Sequence, residues 1–195
     1  MRRKVVNKLQ IAGVTDKGVV RLENQDTFVQ GSLADDTVFA AVFDGMGGAK
    51  AGRYASTFAS ELFTKMLNDQ ASAVIENPAI ELHEILKTVN EQVYEKSVGH
   101  VEYSGMGTTV VGCVLTNGIG IIANIGDSRA YLIDDESCKA ITHDHSIVGA
   151  LVELGEITPE EAKVHPQRNI ITRAIGTDLD VEADLYPVNL NGKYL

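Results

Sequence analysis

The sequence predicts an α+β protein in which antiparallel sheets carry their helices on the outside. Short apolar segments of strand length come first, two long helical segments follow, and further strand-like segments come after the helices. An Asn-Gly dipeptide joins two of the later segments, and this is the strongest short-range signal for an antiparallel hairpin. Strands and helices that occur in separate blocks favour antiparallel sheets with the helices segregated outside them.

Six strands are predicted from apolar patterning. The first three cover residues 9–14, a piece around 19–29, and 37–43, and the last of these is apolar from Val38 to Phe43. Six consecutive apolar residues before a glycine-rich turn are typical of a strand that is buried on both faces. The hairpin joins 108–115 to 119–125 through Asn117-Gly118, and another strand is predicted over 129–133.

Two helices are predicted between these strand blocks. The first carries an apolar residue at every fourth position, which predicts a stripe in the core: Tyr54, Phe58, Leu62 and Met66. The second opens at Asn77-Pro78, where a capping residue precedes a proline at the first helical position, and it ends near Gly99.

A polar, proline-punctuated stretch occupies residues 144–176. Thr158-Pro159-Glu160-Glu161 is a capping box, so a short helix is predicted to start there. Asp144 or Ser146 is expected to cap another short helix from Ile147. We expect residues 1–195 to form a single domain, with a flap-like insert at about 146–168.

Composition excludes several classes of protein. The net charge of −10 argues against a surface for nucleic acid or an anionic membrane. Cys113 and Cys138 have neither disulfide-framework nor zinc-site spacing, and they fit a reducing cytoplasm. The basic residues 1–4 are not followed by the apolar region of a signal peptide, and no apolar run is long enough to span a membrane.

Acidic residues and glycines at strand ends form the candidate site, with a basic and an amide side chain beside them: Arg21, Asn24, Asp26, Asp44 and Gly45. Carboxylate and carbonyl oxygens are ligands for Mg²⁺ or Mn²⁺ rather than for zinc or copper. The planar guanidinium of Arg21 can bind two phosphate oxygens. A simpler interpretation of Asp44 is a helix cap in a tight turn after a core strand.

A second polar turn, Gly126-Asp127-Ser128-Arg129, follows another apolar strand. Asp127 could be a metal ligand, but we favour a capped turn in which Arg129 makes an internal salt bridge.

Five motifs in order resemble the bacterial branch of the metal-dependent type 2C Ser/Thr protein phosphatases. They are V-T-D-K-G-x-V-R-x-x-N-Q-D from residue 14, V-F-D-G-M-G-G from 42, G-M-G-T-T from 105, I-G-D-S-R-A-Y-L from 125 and D-H-S-I-V from 144. The stretch H-P-Q-R-N-I-I-T-R-A-I-G from 165 is similar to the family's passage from its flap into the core.

The resemblance implies a four-layer α-β-β-α sandwich and a Ser/Thr protein phosphatase activity. By position, Asp26 and Asp44 resemble metal-binding aspartates, Gly45 the residue that offers its carbonyl to a metal, and Arg21 the arginine that holds substrate phosphate. The family uses two Mn²⁺ or Mg²⁺ ions to activate the water that attacks phosphorus. The implied substrates are phosphorylated proteins, including targets of a Ser/Thr kinase, and the implied location is the cytoplasm.

Two departures from the family pattern shape a further expectation. Residues 191–195 resemble the start of a strand that in the family leads to a Ser-Asp-Gly turn and a later Asp-Asn motif, both with metal-binding aspartates. We therefore expect the catalytic domain to continue past Leu195. As given, the chain is expected to bind Mn²⁺ weakly, to turn over poorly and to associate. Gln25 stands where other members have glutamate. The alternative is a phosphatase-like binding module without turnover.

Overall fold

The computed structural model describes residues 9–195, apart from the side chain of Ala49, so the basic N-terminal residues 1–4 lie outside the described part. Eight strands occur in this part: β1 (Asp26–Ala34), β2 (Thr37–Met46), β3 (Gly107–Thr108), β4 (Val110–Thr116), β5 (Ile119–Ile125), β6 (Tyr131–Ile133), β7 (Cys138–Ala140) and β8 (Asp184–Asn189). The helices within it are α1 (Ala49–Asp69), α2 (Ala71–Glu76), α3 (Pro78–Gly99), α4 (Ile147–Glu153) and α5 (Pro159–Val164).

The strands form one large antiparallel sheet and one small hairpin. The large sheet has the order β1-β2-β4-β5-β8, with β3 paired to the end of β2, and β6 pairs with β7. The edge strand β8 contains Pro187, which is exposed and costs little there because an edge strand leaves some N–H groups unpaired. This arrangement confirms the predicted α+β class with antiparallel sheets and outer helices.

Both faces of the large sheet are apolar because the buried strands alternate their side chains between two clusters. On β2, Phe39, Ala41 and Phe43 face α1 and α3, whereas Val38 faces the opposite cluster. Leu132 of β6 packs against that opposite cluster. The run predicted as a doubly buried strand is therefore confirmed for the face towards the helices and for Val38, whereas Val42 on the opposite face is 45% exposed.

The hairpin prediction is confirmed in detail. Asn117 and Gly118 join β4 to β5 with φ angles of 53° and 81°. Positive φ at both central residues is the signature of a type I′ turn, whose twist matches the twist of the flanking strands.

The prediction of strands at residues 9–14 and around 19–29 is largely wrong. Residues 9–25 form no strand, and the first strand begins at Asp26 and runs to Ala34. Leu9 and Ile11 are half-buried against the cluster opposite the helices, so their apolar character reflects packing without backbone pairing.

The buried face of α1 is also offset from its prediction. Tyr54, Phe58, Leu62 and Met66 are only half-buried. The buried apolar positions of the helix are the neighbouring ones: Ala51, Ala55, Ala59, Phe63 and Leu67. Because alanine is small, the backbone of α1 can approach the sheet closely, and the large side chains cover the margin of the contact.

Capping determines the ends of the two short helices. The hydroxyl of Ser146 accepts a hydrogen bond from the Gly149 N–H and caps α4. Thr158 and Glu161 form the full capping box of α5. Both predictions are confirmed, with Ser146 rather than Asp144 as the cap of α4. No helix within the described residues has the length and apolar character needed to cross a membrane.

The two cysteines should react very differently with a thiol reagent. Cys113 is buried within β4, and burial raises its thiol pKa to about 11, whereas Cys138 is exposed on β7. Because the thiolate is the nucleophile, we expect one rapidly modified thiol per native chain at pH 8 and two after denaturation. A Cys138→Ser control should show none in the native state. Rapid modification of that control would contradict the assignment.

Candidate functional site

The two predicted metal-binding aspartates lie directly opposite each other, with Asp26 at the start of β1 and Asp44 near the end of β2. Asp26 pairs in register with Asp44 across these antiparallel strands. Residues opposite each other in an antiparallel pair have their Cβ atoms about 5 Å apart. The strand register therefore brings together two carboxylates that are 18 positions apart in the sequence.

This closeness has an electrostatic consequence for Asp44. The pKa of Asp44 rises from its ordinary value of 3.8 to about 6. The largest cause is the loss of water around the carboxylate on folding, although much of the side chain is exposed, and the charge of Asp26 and a hydrogen bond with it come next. The site therefore concentrates negative charge, which a bound cation would relieve.

Gly45 lies near the end of β2 and packs against the first turn of α1. Its N–H donates to the Gln25 carbonyl oxygen over 3.2 Å. A Cβ atom at this position would lie 2.1 Å from the carbonyl oxygen of Gly52, so only glycine fits here. The glycine after the aspartate thus lets the helix backbone approach the strand end.

Arg21 and Asn24 lie in the segment that leads into β1. Arg21 is exposed, and its positive charge lies close enough to Asp44 to oppose the rise in that carboxyl's pKa. The Asn24 side-chain oxygen accepts a hydrogen bond from the Asp26 N–H over 3.0 Å. The structure therefore brings the predicted constellation together, with Asn24 supporting the Asp26 backbone.

Asp127 differs from the favoured prediction. Arg129 makes its bidentate ion pair with Asp144, at 2.7 and 2.6 Å, and not with Asp127. Loss of water on folding raises the pKa of Asp127, and the charge of Asp127 in turn raises the pKa of Asp44. The salt bridge of Arg129 is therefore confirmed with another partner, and Asp127 is a third acidic group beside the aspartate pair.

Buried hydroxyl groups form hydrogen bonds with the backbone beside the two aspartates, and they were not predicted from the sequence. Ser56 of α1 donates to the Gln25 carbonyl oxygen over 2.6 Å. Thr108 and Thr109, which follow the Gly-Met-Gly stretch, bond to the backbone of Asp44. The available signal was the polar pair Thr-Thr directly ahead of the apolar strand β4.

The chemical type of the available ligand atoms suits a hard divalent cation. Asp26, Asp44 and the Gly45 carbonyl offer oxygen atoms only, as Mg²⁺ and Mn²⁺ prefer. Among residues 9–195, no three His, Cys, Asp or Glu side chains converge closely enough to hold a metal ion. A cation at this site would therefore be held by the aspartate pair together with backbone oxygen or water.

Comparison with known proteins gives consistent matches over most of the chain. A family model described as Protein phosphatase 2C matches residues 19–179. A serine/threonine phosphatase of Listeria welshimeri is 36% identical over 179 residues, which cover 89% of this chain and 69% of that protein. Protein phosphatase PhpP of Streptococcus pneumoniae is 37% identical over 190 residues, which cover 96% of this chain and 76% of the relative.

A solved structure matches the fold. The crystal structure of the serine/threonine phosphatase Stp1 from Staphylococcus aureus has a TM-score of 0.82 to this chain at 39% identity. The match covers 91% of this chain and 70% of that one. The α+β architecture of antiparallel sheet and outer helices is therefore shared with a solved serine/threonine phosphatase.

Proposed function

Because the chain belongs to the protein phosphatase 2C family, we propose that it hydrolyses phosphoserine and phosphothreonine on other proteins in a metal-dependent reaction. The observation that carries the proposal is the register pair of Asp26 and Asp44, with the guanidinium charge of Arg21 beside it. This site, which we call the corner, consists of Arg21, Asp26, Asp44 and Gly45. It combines anionic ligands for a cation with a cationic group for a phosphate.

Each group in the corner has a distinct task. Asp26, Asp44 and the Gly45 carbonyl would hold Mn²⁺ or Mg²⁺. A divalent cation, when bound, lowers the pKa of water and neutralises charge on phosphoryl oxygens. Arg21 binds two phosphate oxygens through its planar guanidinium and so orients the phosphoryl group.

The net charge of the chain and the state of its cysteines support a proposal about its partners and its location. The net charge of −10 disfavours nucleic acid and anionic membranes as partners. Both cysteines are free in the structure, as is usual in a reducing compartment. We therefore propose that the protein acts on phosphoproteins in the cytoplasm, including targets of a Ser/Thr kinase.

The test is a release assay with matched peptides. Purified chain is incubated with phosphoserine, phosphothreonine and phosphotyrosine versions of one peptide, with Mn²⁺ or with excess chelator. Because this chain is expected to turn over poorly, we expect slow phosphate release from the first two peptides with Mn²⁺ and none in chelator. Full activity in chelator would refute the metal-dependent mechanism.

A second function is favoured by one observation. Asp127 lies near the pair, but among residues 9–195 no three His, Cys, Asp or Glu side chains converge into a metal site, so a corner that binds phosphate without turnover is the second candidate. This alternative is a phosphatase-like binding module. A chain that binds the phosphopeptide tightly in Mn²⁺ yet releases no phosphate would support it.

Removing the Arg21 guanidinium should weaken substrate binding more than turnover. A hydrogen-bonded charge pair contributes about 1.5–3 kcal/mol, so we expect Arg21→Ala to raise KM about 10- to 100-fold with a smaller fall in kcat. Steady-state kinetics on a phosphopeptide measure both constants. Lys87→Ala, which removes an exposed positive charge on α3, is the control and should leave KM unchanged. An unchanged KM with a collapsed kcat in Arg21→Ala would assign the residue another role.

We propose that residues 146–168 act as a mobile flap beside the site. Both ends of this segment are anchored, because the Ile147 N–H donates to the Ile170 carbonyl and the Thr172 N–H to the His145 carbonyl. Between these anchors, α5 has no buried residue. Few buried contacts between fixed ends favour local opening without global unfolding.

Hydrogen exchange tests this mobility. We expect amides of α5 to exchange much faster than those of β4, which lies in the centre of the sheet and is almost wholly buried. Mass spectrometry of peptides from the two segments gives the comparison within one sample. Equal protection in α5 and β4 would contradict a mobile flap.

A further inference from the structure

Thr109 forms hydrogen bonds with both backbone polar groups of Asp44. The Asp44 N–H donates to the Thr109 hydroxyl oxygen over 3.1 Å, and the Thr109 N–H donates to the Asp44 carbonyl oxygen over 2.9 Å. The Thr108 hydroxyl donates to the same carbonyl oxygen over 3.0 Å. Fixing both backbone groups of Asp44 fixes the direction in which its carboxylate leaves the strand.

The same hydroxyl also reaches the polar turn after β5. The Thr109 and Ser128 hydroxyl oxygens are 2.7 Å apart. A hydroxyl has one proton and two lone pairs, so Thr109 can accept from Asp44 and still bond to Ser128. Thr109 therefore connects the strand end that carries Asp44 with the turn that carries Asp127.

The methyl group of Thr109 packs into this turn as well. Gly126 has a φ of +113°, and a Cβ atom there would lie 2.6 Å from the Thr109 methyl carbon. Thr109 is only 1% exposed, so its bonds are shielded from water. A buried hydroxyl with two protein partners is costly to remove, because its partners lose their bonds where water cannot replace them.

We propose that Thr109 is a positioning residue that sets Asp44 relative to the Asp127 turn, and that it thereby controls cation affinity. This inference rests on the proposed function, since it takes Asp44 as a cation ligand. Thr109 acts through the backbone of Asp44 and not as a ligand. Outer-shell partners of metal ligands typically contribute about 10- to 100-fold to metal affinity.

Two substitutions separate the hydroxyl from the packing. Thr109→Val keeps the shape and removes the hydroxyl, and Thr109→Ser keeps the hydroxyl. We expect Thr109→Val to weaken Mn²⁺ binding, measured by calorimetry with Mn²⁺ alone, by about tenfold or more. Thr109→Ser should restore most of the affinity. In the metal-free protein, the Asp44 amide should exchange its hydrogen faster in Thr109→Val, because the amide has lost its acceptor.

Thr37→Val is the matched control. Thr37 is fully buried at the other end of β2, where its hydroxyl lies 2.9 Å from that of Thr116. Its replacement removes one equally buried hydroxyl and should lower the melting temperature without changing Mn²⁺ affinity. An equal loss of affinity in Thr37→Val and Thr109→Val would reduce Thr109 to a structural role and overturn the proposal.

The remaining outcomes are also decisive. Parent-like Mn²⁺ affinity in a folded Thr109→Val overturns the inference, provided that Asp44→Asn abolishes binding in the same assay. If Asp44→Asn leaves Mn²⁺ binding intact, the proposed cation site itself has failed, and the inference fails with it. If Thr109→Val does not fold, the Ser128→Ala variant provides the test. We expect this variant to bind Mn²⁺ more weakly and to exchange the Asp44 amide hydrogen faster than the parent. Parent values for both measurements would overturn the proposal.

Discussion

The Asp44→Asn variant is expected to lose nearly all metal-dependent hydrolysis of phosphopeptides. The substitution keeps the size of the side chain and removes the charge that would bind the cation. Because Asp44 is proposed as a direct ligand, the loss in kcat/KM should exceed the roughly 10- to 100-fold typical of outer-shell partners. Calorimetry with Mn²⁺ should show a parallel loss of binding.

Asp69→Asn is the control for this variant. Asp69 ends α1 and pairs with Lys65 on the exposed surface, so its replacement makes the same change in charge away from the site. Surface pairs of this kind contribute little to stability, and we expect parent-like kinetics. An Asp44→Asn protein that retains Mn²⁺-dependent turnover would move the catalytic cation away from this corner.

The same substitution should stabilise the metal-free fold at pH 8. In the folded chain the pKa of Asp44 is raised to about 6 from 3.8, so ionisation of this group opposes folding. The raised pKa of Asp44 stabilises the folded state by an amount that is complete below the ordinary pKa of 3.8 and is lost as the pH rises through 6. The asparagine side chain of the variant carries no charge at any pH. In chelator the variant should therefore melt at a higher temperature than the parent at pH 8, and this difference should shrink towards pH 4.

The candidate ligands could be found from the sequence because each lies at a visible boundary. Asp44 ends an apolar run and precedes glycines, and Asp26 closes a motif that resembles the family pattern. Their direct pairing could not be found, because it depends on the register of β1 on β2. A shift of one residue in that register would have placed the two side chains on opposite faces.

The supporting residues were hidden for a different reason. Ser56 and Thr109 are ordinary polar residues within apolar segments, and only the fold shows that their hydroxyls reach the backbone beside the aspartates. Asp127 was misjudged because Arg129, two residues away, offered a local partner. The structure gives that arginine a partner 15 residues further along the chain. Local pairing is a weak guide where a turn brings distant segments together.

Helix α3 shows both the strength and the limit of periodicity. Apolar residues at helical spacing form its buried face: Leu82, Ile85, Leu86, Val89 and Val93. Asn90 lies on the same face and is only 1% exposed. A polar residue within an otherwise apolar face indicates a buried hydrogen-bonding partner, but the sequence does not show where that partner is.

The partner is the backbone of residues 176–179. The side-chain amide of Asn90 donates to the carbonyl oxygens of Asp178 and Leu179, both over 3.0 Å, and its oxygen accepts from the Gly176 N–H over 2.8 Å. The neighbouring Ile175 exchanges two backbone hydrogen bonds with Thr108, which in turn bonds to Asp44. One helix side chain thus holds the segment that supports the site.

Replacing Asn90 by alanine should therefore cause one of the largest losses of stability in this chain. The change leaves the Gly176 N–H and two carbonyl groups without their partner. A buried polar group left unsatisfied costs about 1–3 kcal/mol, and we expect the free energy of unfolding to fall by about 2–4 kcal/mol. Urea denaturation measures this change. Asn68→Ala, which removes an exposed asparagine from α1, should stay within about 0.5 kcal/mol of the parent. If Asn90→Ala lies within that same range, the three hydrogen bonds do not hold the segment, and its position depends on the packing of Ile175 and its two backbone hydrogen bonds with Thr108.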